Sequence, residues 1–210
     1  MISVDIYLRE IDVNRSRRVR ELSEIKSQFA IAEDTLPFRV KSKAVVVLTY
    51  AHWEGFYNEC VSTYLSFLRD SGKKIRDTNW SMLVGTLSSE INRLKDRNHS
   101  PEAACDFVEA LSGALTAGFD SFNADVIKSR SNLNFEKLKS NYRILSFNLE
   151  PFQRKRIRLD KELVGWRHGI AHGDDPDLST ADSRDHIKFT QDLLLILADQ
   201  FQEEIVNRSL

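Results

Sequence analysis

The sequence predicts an all-α fold, and three observations carry that expectation. Apolar residues recur at every third or fourth position over several long stretches, the period of a helix face. Prolines and glycines are few, four and eight in 210 residues, so little interrupts those stretches. Helix start and stop signals, such as Ser100-Pro101 and Gly173, fall at their edges. The length suits one domain over residues 1–210 with a sizeable core.

Residues 1–13 are open: Ile2, Val4 and Ile6 alternate as in a strand, whereas Leu8 and Ile11 fit the start of a helix. From Asn14 the spacing of Val19, Leu22, Ile25 and Phe29 is helical, and Arg15, Arg17, Arg18 and Arg20 read as a solvated face. Thr35-Leu36-Pro37 breaks the pattern. A long helix follows from Arg39 to Asp70, with Tyr50, Trp53, Tyr57, Val61, Tyr64 and Leu68 on one stripe and Val45, Leu48 and Phe56 widening it. A helix apolar on so many sides belongs at the centre of a bundle. Glu54 is the odd residue in it, because a carboxylate among apolar neighbours is costly unless paired. It either points outward at the helix edge or holds a cationic side chain elsewhere in the chain.

Ser71-Gly72 ends that helix. Thr78 or Asn79 can cap another through Leu94, with Leu83, Leu87 and Ile91 on its stripe. Ser100-Pro101 opens the next, which carries Phe107, Val108, Leu111 and Leu115 towards a stop at Gly118. Residues 119–132 read as a polar connection, and 133–145 as a shorter amphipathic helix with Leu138, Tyr142 and Leu145 in register. The last helix starts near Ser179, with Asp182 close to a capping box, and buries Ile187, Leu194, Leu197, Phe201 and Ile205. Asp174, Asp175 and Asp177 before it read as turn residues.

Composition excludes several classes. Hydrophobic residues make up 41% and charged residues 29%, ordinary for a water-soluble domain. The longest apolar run, Leu193–Ala198, is too short to cross a bilayer, and the N-terminus shows no apolar core behind a basic start. A cytoplasmic protein without a membrane anchor is expected. Cys60 and Cys105 both sit in apolar helical contexts and read as reduced, buried thiols. Charge is uneven: ten Lys or Arg face three acids between Lys128 and Lys161. The densest part, Arg154, Lys155, Arg156 and Arg158, could meet a polyanion such as RNA.

That basic run leads into Trp166-Arg167-His168-Gly169-Ile170-Ala171-His172-Gly173, the candidate site. Leu159, Leu163, Trp166 and Ile170 share a face, Asp160 fits an N-cap, and Gly173 fits a left-handed C′ position with Pro176 just beyond. His172 then falls at the helix end, where unpaired carbonyls favour a cation. Histidine is the side chain suited to exchanging protons near neutrality, and arginine matches phosphate with its planar fork. In an ideal helix, Arg167 and His172 lie about 140° apart around the axis. One copy therefore makes a poor closed site, whereas two copies about a two-fold axis could make a good one.

Arg167, His168 and His172 resemble the R-x4-6-H signature of the HEPN superfamily, and Arg167 through Gly173 resembles its prokaryotic "RN-x-IAHG" form. Ala51-His52-Trp53-Glu54-Gly55-Phe56 resembles the WEGF-type segment of a HEPN branch linked to toxin–antitoxin and phage-defence loci. The resemblance implies an antiparallel bundle of four to five core helices with a helical insertion, here residues 73–132, as a branch-specific elaboration. It implies a metal-independent, cofactor-free endoribonuclease that works as a homodimer. In it Arg167 binds the scissile phosphate, His172 moves the proton, and His168 and Glu54 support them. A branch paired with nucleotidyltransferases carries a tyrosine two positions after the motif histidine, where this chain has Asp174. The expected regulator is therefore a protein antitoxin or defence-system partner. Two other readings compete. One is a non-catalytic module that dimerises or binds a nucleotide or protein. The other is a metal site on His168 and His172, which lacks the H-E-x-x-H glutamate and a third ligand.

Overall fold

The computed structural model describes residues 3–29, 38–174, 176, 178 and 180–209. Three long helices form its frame: α1 (Val4–Phe29), α2 (Phe38–Asp70) and, at the C-terminus, α7 (Thr180–Ser209). Between α2 and α7 lie α3 (Ser88–Asp96), α4 (Pro101–Ala114), α5 (Phe135–Leu145) and α6, a composite helix over residues 156–171. Among the described residues no strand forms, and a lone bridge joins Lys74 and Gly118. The all-α expectation holds.

The open N-terminal segment is helical because its apolar residues fall at helical spacing. Tyr7 and Ile11 are buried one turn apart while Ile6 is 64% exposed. Tyr7 donates to Asp70 and packs edge-on against Phe67, which fastens the start of α1 to the end of α2. That pairing, with Arg18 against Glu59, makes the two helices antiparallel. Contacts from Gln191 to Ser23 and from Gln202 to Leu8 make α7 antiparallel to α1 as well.

The predicted α2 stripe is the centre of the core: Tyr50, Trp53, Tyr57, Val61, Tyr64 and Leu68 are all buried, whereas Leu48 lies exposed at the stripe's border. Tyr64, Tyr142, Phe147 and Phe201 interlock edge-to-face, with the Phe147 and Phe201 centroids 4.9 Å apart. Such aromatic packing adds to plain area burial.

Several elements depart from expectation. The helix expected from 79 to 94 is broken into short turns ahead of α3, because Asn79 uses its side chain to cap Ser81 and Leu87 leaves helical geometry. Ser100 caps α4 as foreseen, with Pro101 at its start, but the helix ends at Ala114, before Gly118, and Val108 stands 63% exposed. Residues 119–132 are not a plain polar connection, since Phe119, Phe122, Ile127 and Ser129 are buried. Cys60 is buried, but Cys105 is exposed. Arg18 is no solvated cation: it is buried against Glu59, and a Cβ at Gly55 would lie 2.7 Å from its guanidinium. Gly55 thus lets an arginine lie flat on α2. The expected break at Thr35-Leu36-Pro37, the turn residues Asp175 and Asp177 and the Ser179 cap lie outside the described residues.

Gly85 sits under Phe122, whose ring carbon is 2.2 Å from where a Cβ would be. Gly85→Ala should overpack this contact and cost about 1–3 kcal/mol. The check is the urea midpoint, expected to fall with an unchanged m-value.

Candidate functional site

The motif sits in α6, which begins as Arg156–Arg158, widens into a π-helical stretch over Leu159–Trp166 and tightens again over Arg167–Ala171. Gly165 fits the wide turn, because a Cβ there would lie 3.1 Å from the carbonyl of Asp160. Asp160 is not the N-cap of this helix. It lies inside it, and its carboxylate instead accepts the backbone N–H of Phe135 at 2.7 Å, fixing the start of α5.

The C-terminal end follows the expected chemistry. Gly173 takes a left-handed conformation (φ +94°). Its N–H donates to Ile170, and that of Asp174 donates to Gly169 at 2.9 Å, the bond pair of a Schellman cap. The Asp174 side chain folds over Gly169, where a Cβ would meet it at 2.7 Å. His172 is the capping residue. His168 and His172, one turn apart, bring their exposed rings to 4.3 Å between centroids. Among the described residues no group of three or more His, Cys, Asp or Glu is placed to hold a metal ion.

Arg167 faces elsewhere. Its Nη2 donates to the Ser131 carbonyl at 2.6 Å, and its guanidinium lies over the Tyr50 ring, 4.2 Å from the centroid. A cation over an aromatic face contributes about 0.5–2 kcal/mol depending on solvation. Among the described residues no carboxylate lies within ion-pair distance of Arg167.

Glu54 does not contact Arg167 or His172 directly. It accepts from Tyr50 Oη at 2.9 Å and from Ser129 Oγ, and Tyr50 Oη in turn accepts the Leu133 N–H at 2.9 Å. Burial pushes the Tyr50 hydroxyl well above the usual phenol range, so it stays a donor. Glu54 is thus paired, as a carboxylate in an apolar helix requires, with the Tyr50 and Ser129 hydroxyls, and Tyr50 carries the ring under the Arg167 guanidinium. Tyr50, Ser129 and Ser131 escaped sequence reasoning. Tyr50 reads as core, and the serines lie far from the motif in the chain. A serine pair in a segment otherwise read as connection gives no signal by itself.

The basic run is more committed than expected. Arg158 bonds Glu162 at 2.6 Å, pairs with Asp185 and stacks on Phe189. Arg156 pairs with Glu136 at 3.3 Å and lies over Phe135, and Lys155 lies over Phe189. Arg154 is exposed. Burial pushes His186 of α7 down to about 4, helped by nearby Arg158 and opposed by Asp185. Its ring lies 5.4 Å from that of Trp166, and among the described residues neither ring nitrogen has a hydrogen-bond partner. An unfolded histidine takes its proton near pH 6.5. Between pH 6.5 and 4 the unfolded chain therefore binds more protons, so this contribution to stability is full above pH 6.5 and lost as pH falls towards 4. The loss amounts to roughly 3 kcal/mol at most. Urea unfolding of wild type and His186→Phe across that window checks it: the variant should show the shallower dependence, and parallel curves would show that His186 contributes none.

A family model described as RiboL-PSP-HEPN matches residues 14–203. Searches of curated proteins and of solved structures return no match. The matched span takes in α2 with the Glu54 segment, residues 127–133 and the whole Arg167–His172 turn. By this match the chain, an all-α protein with its Arg167–His172 motif at a capped helix end, belongs to the RiboL-PSP-HEPN family.

Proposed function

We propose that this protein is a metal-independent endoribonuclease whose site is formed by Arg167 and His172, completed by a second copy of the chain. The observation that carries the reading is the way Arg167 is held. Arg17, Arg18, Arg156 and Arg158 are each tied to a carboxylate. Arg167 is instead oriented by a carbonyl and an aromatic face. Such an anchor directs the guanidinium without neutralising it, which suits a phosphate-binding group.

In the proposed reaction the ribose 2′-oxygen attacks the adjacent phosphorus and the bond to the 5′-oxygen breaks, leaving a 2′,3′-cyclic phosphate and a 5′-hydroxyl. His172 takes the 2′-hydroxyl proton. A second imidazole returns a proton to the departing 5′-oxygen, and His168, 4.3 Å from His172, is suited to that part. Arg167 offsets the charge that grows on the phosphoryl oxygens. The exposed His168–His172 pair and the inward-facing Arg167 lie on different sides of one helix end, which supports pairing of two copies. Arg154 is the member of the basic run most open to RNA. The resemblance of Ala51–Phe56 and Arg167–Gly173 to WEGF-type and RN-x-IAHG-type segments supports a role as a toxin or phage-defence effector, restrained by a protein partner.

The test is cleavage of labelled RNA in EDTA by wild type, Arg167→Ala and His172→Ala, each checked for folding by circular dichroism. The expected losses are about 10²–10³-fold for Arg167→Ala and about 10²–10⁴-fold for His172→Ala, with the wild-type product ending in a cyclic phosphate. Absence of cleavage by wild type on several RNAs would assign the chain to the non-catalytic binding modules instead.

A further inference from the structure

The residues that hold Arg167 belong to a network that spans the long connection between α2 and α5. Residues 127–133 carry no regular secondary structure, yet α2 fastens them at alternate positions. Tyr57 Oη donates to the Ile127 carbonyl at 2.8 Å. Asn58 bonds both backbone groups of Ser129, at 2.8 and 2.9 Å. Trp53 Nε1 donates to the Leu133 carbonyl at 2.9 Å, and Tyr50 Oη accepts the Leu133 N–H. Tyr50, Trp53, Glu54, Tyr57 and Asn58 fall at i, i+3, i+4, i+7 and i+8, one face of α2. Position 131 is the gap in this series, and there the carbonyl is taken by Arg167.

We propose that Tyr50 is a positioning residue for Arg167, and that segment 129–133 acts with it, so that the connection between α2 and α5 is part of the site. This rests on the ribonuclease reading for its kinetic consequence but not for its geometry. Both constraints on the guanidinium depend on the segment. The Ser131 carbonyl belongs to it, and the Tyr50 ring is locked by the Leu133 N–H on one side and by Glu54, itself held by Ser129, on the other. An arginine has four side-chain torsions to restrict, and misplacement of a catalytic group by about 1 Å can cost 10²-fold in rate.

Two measurements test this on the full chain. In nitrogen-15 spectra, with Arg167 assigned by loss of its signal in Arg167→Lys, the Nε–H resonance of wild type should be displaced by the Tyr50 ring current. That displacement should be smaller in Tyr50→Phe, which keeps the ring but loses its bonds to Glu54 and the Leu133 N–H, and be lost in Tyr50→Leu. An Arg167 signal at the position of a solvated arginine in wild type overturns the proposal without needing any variant to fold. In RNA cleavage, Tyr50→Leu should lower kcat by about 10–100-fold with KM changed far less, Tyr50→Phe, with the ring but not its two bonds, should fall between Tyr50→Leu and wild type, and Tyr50→Leu should add nothing in an Arg167→Ala background. Additive losses, or a Tyr50→Leu protein as active as wild type, would overturn it. If wild type cleaves no RNA, the ribonuclease reading fails while the resonance displacement still decides the positioning role.

Discussion

A stretch of chain without helix or strand still has to satisfy its buried backbone groups, and here most of that obligation falls on the side chains of one helix face. The central helix α2 buries its apolar stripe in the bundle core, and the polar tips of Tyr50, Trp53 and Tyr57 on that stripe, with Asn58 beside it, bond the backbone of residues 127–133. Each of these polar tips sits on an apolar or half-buried body, so one residue both packs and bonds. Trp53 and Tyr57 are fully buried while doing so. The rest of the structure depends on this arrangement. It lets the polypeptide leave α2, form α3 and α4, and return beside the motif helix with the backbone of Ile127, Ser129 and Leu133 bonded.

The chain handles its buried and half-buried arginines in two distinct ways. Arg18 and Arg158 are fixed by carboxylates and form part of the packing between helices, α1 on α2 and α6 on α7. Their charge is consumed locally. Arg167 is fixed by a carbonyl dipole and a ring quadrupole, both weaker and both neutral. The carboxylate of Glu54 is kept one residue away, on the far side of the tyrosine hydroxyl. Structural and candidate functional arginines are thus distinguished by what they touch, although their residue type and sequence surroundings look alike.

Much of the fold was legible because helical periodicity is a local signal. The α2 stripe, the Ser100-Pro101 start, the Gly173 stop and the buried face of α7 all appear where spacing and capping chemistry put them. The motif was legible for the same reason, as it is one contiguous turn. What was not legible depends on partners distant in sequence. The buried Phe119, Phe122 and Ile127 in a polar-looking connection are explained by α2 and by Gly85. Asp160 looks like a cap for its own helix and serves the start of another, because its carboxylate meets Phe135 only in the folded chain. The basic run looked free because two of its acidic partners, Glu136 and Asp185, are brought to it from other helices.

Surface loops ordinarily absorb insertions and deletions, because a longer closure costs little and nothing holds the extra residues. Residues 127–133 look like such a loop but are bonded at 127, 129, 131 and 133 in succession. Gain or loss of one residue would bring Lys128, Arg130 and Asn132 to the helix and turn their bonded neighbours to water. The segment therefore has a reading frame, set by α2 at both ends and by Arg167 between them. In this family, length differences compatible with the same site are expected on either side of it, around α3 and α4, rather than within it.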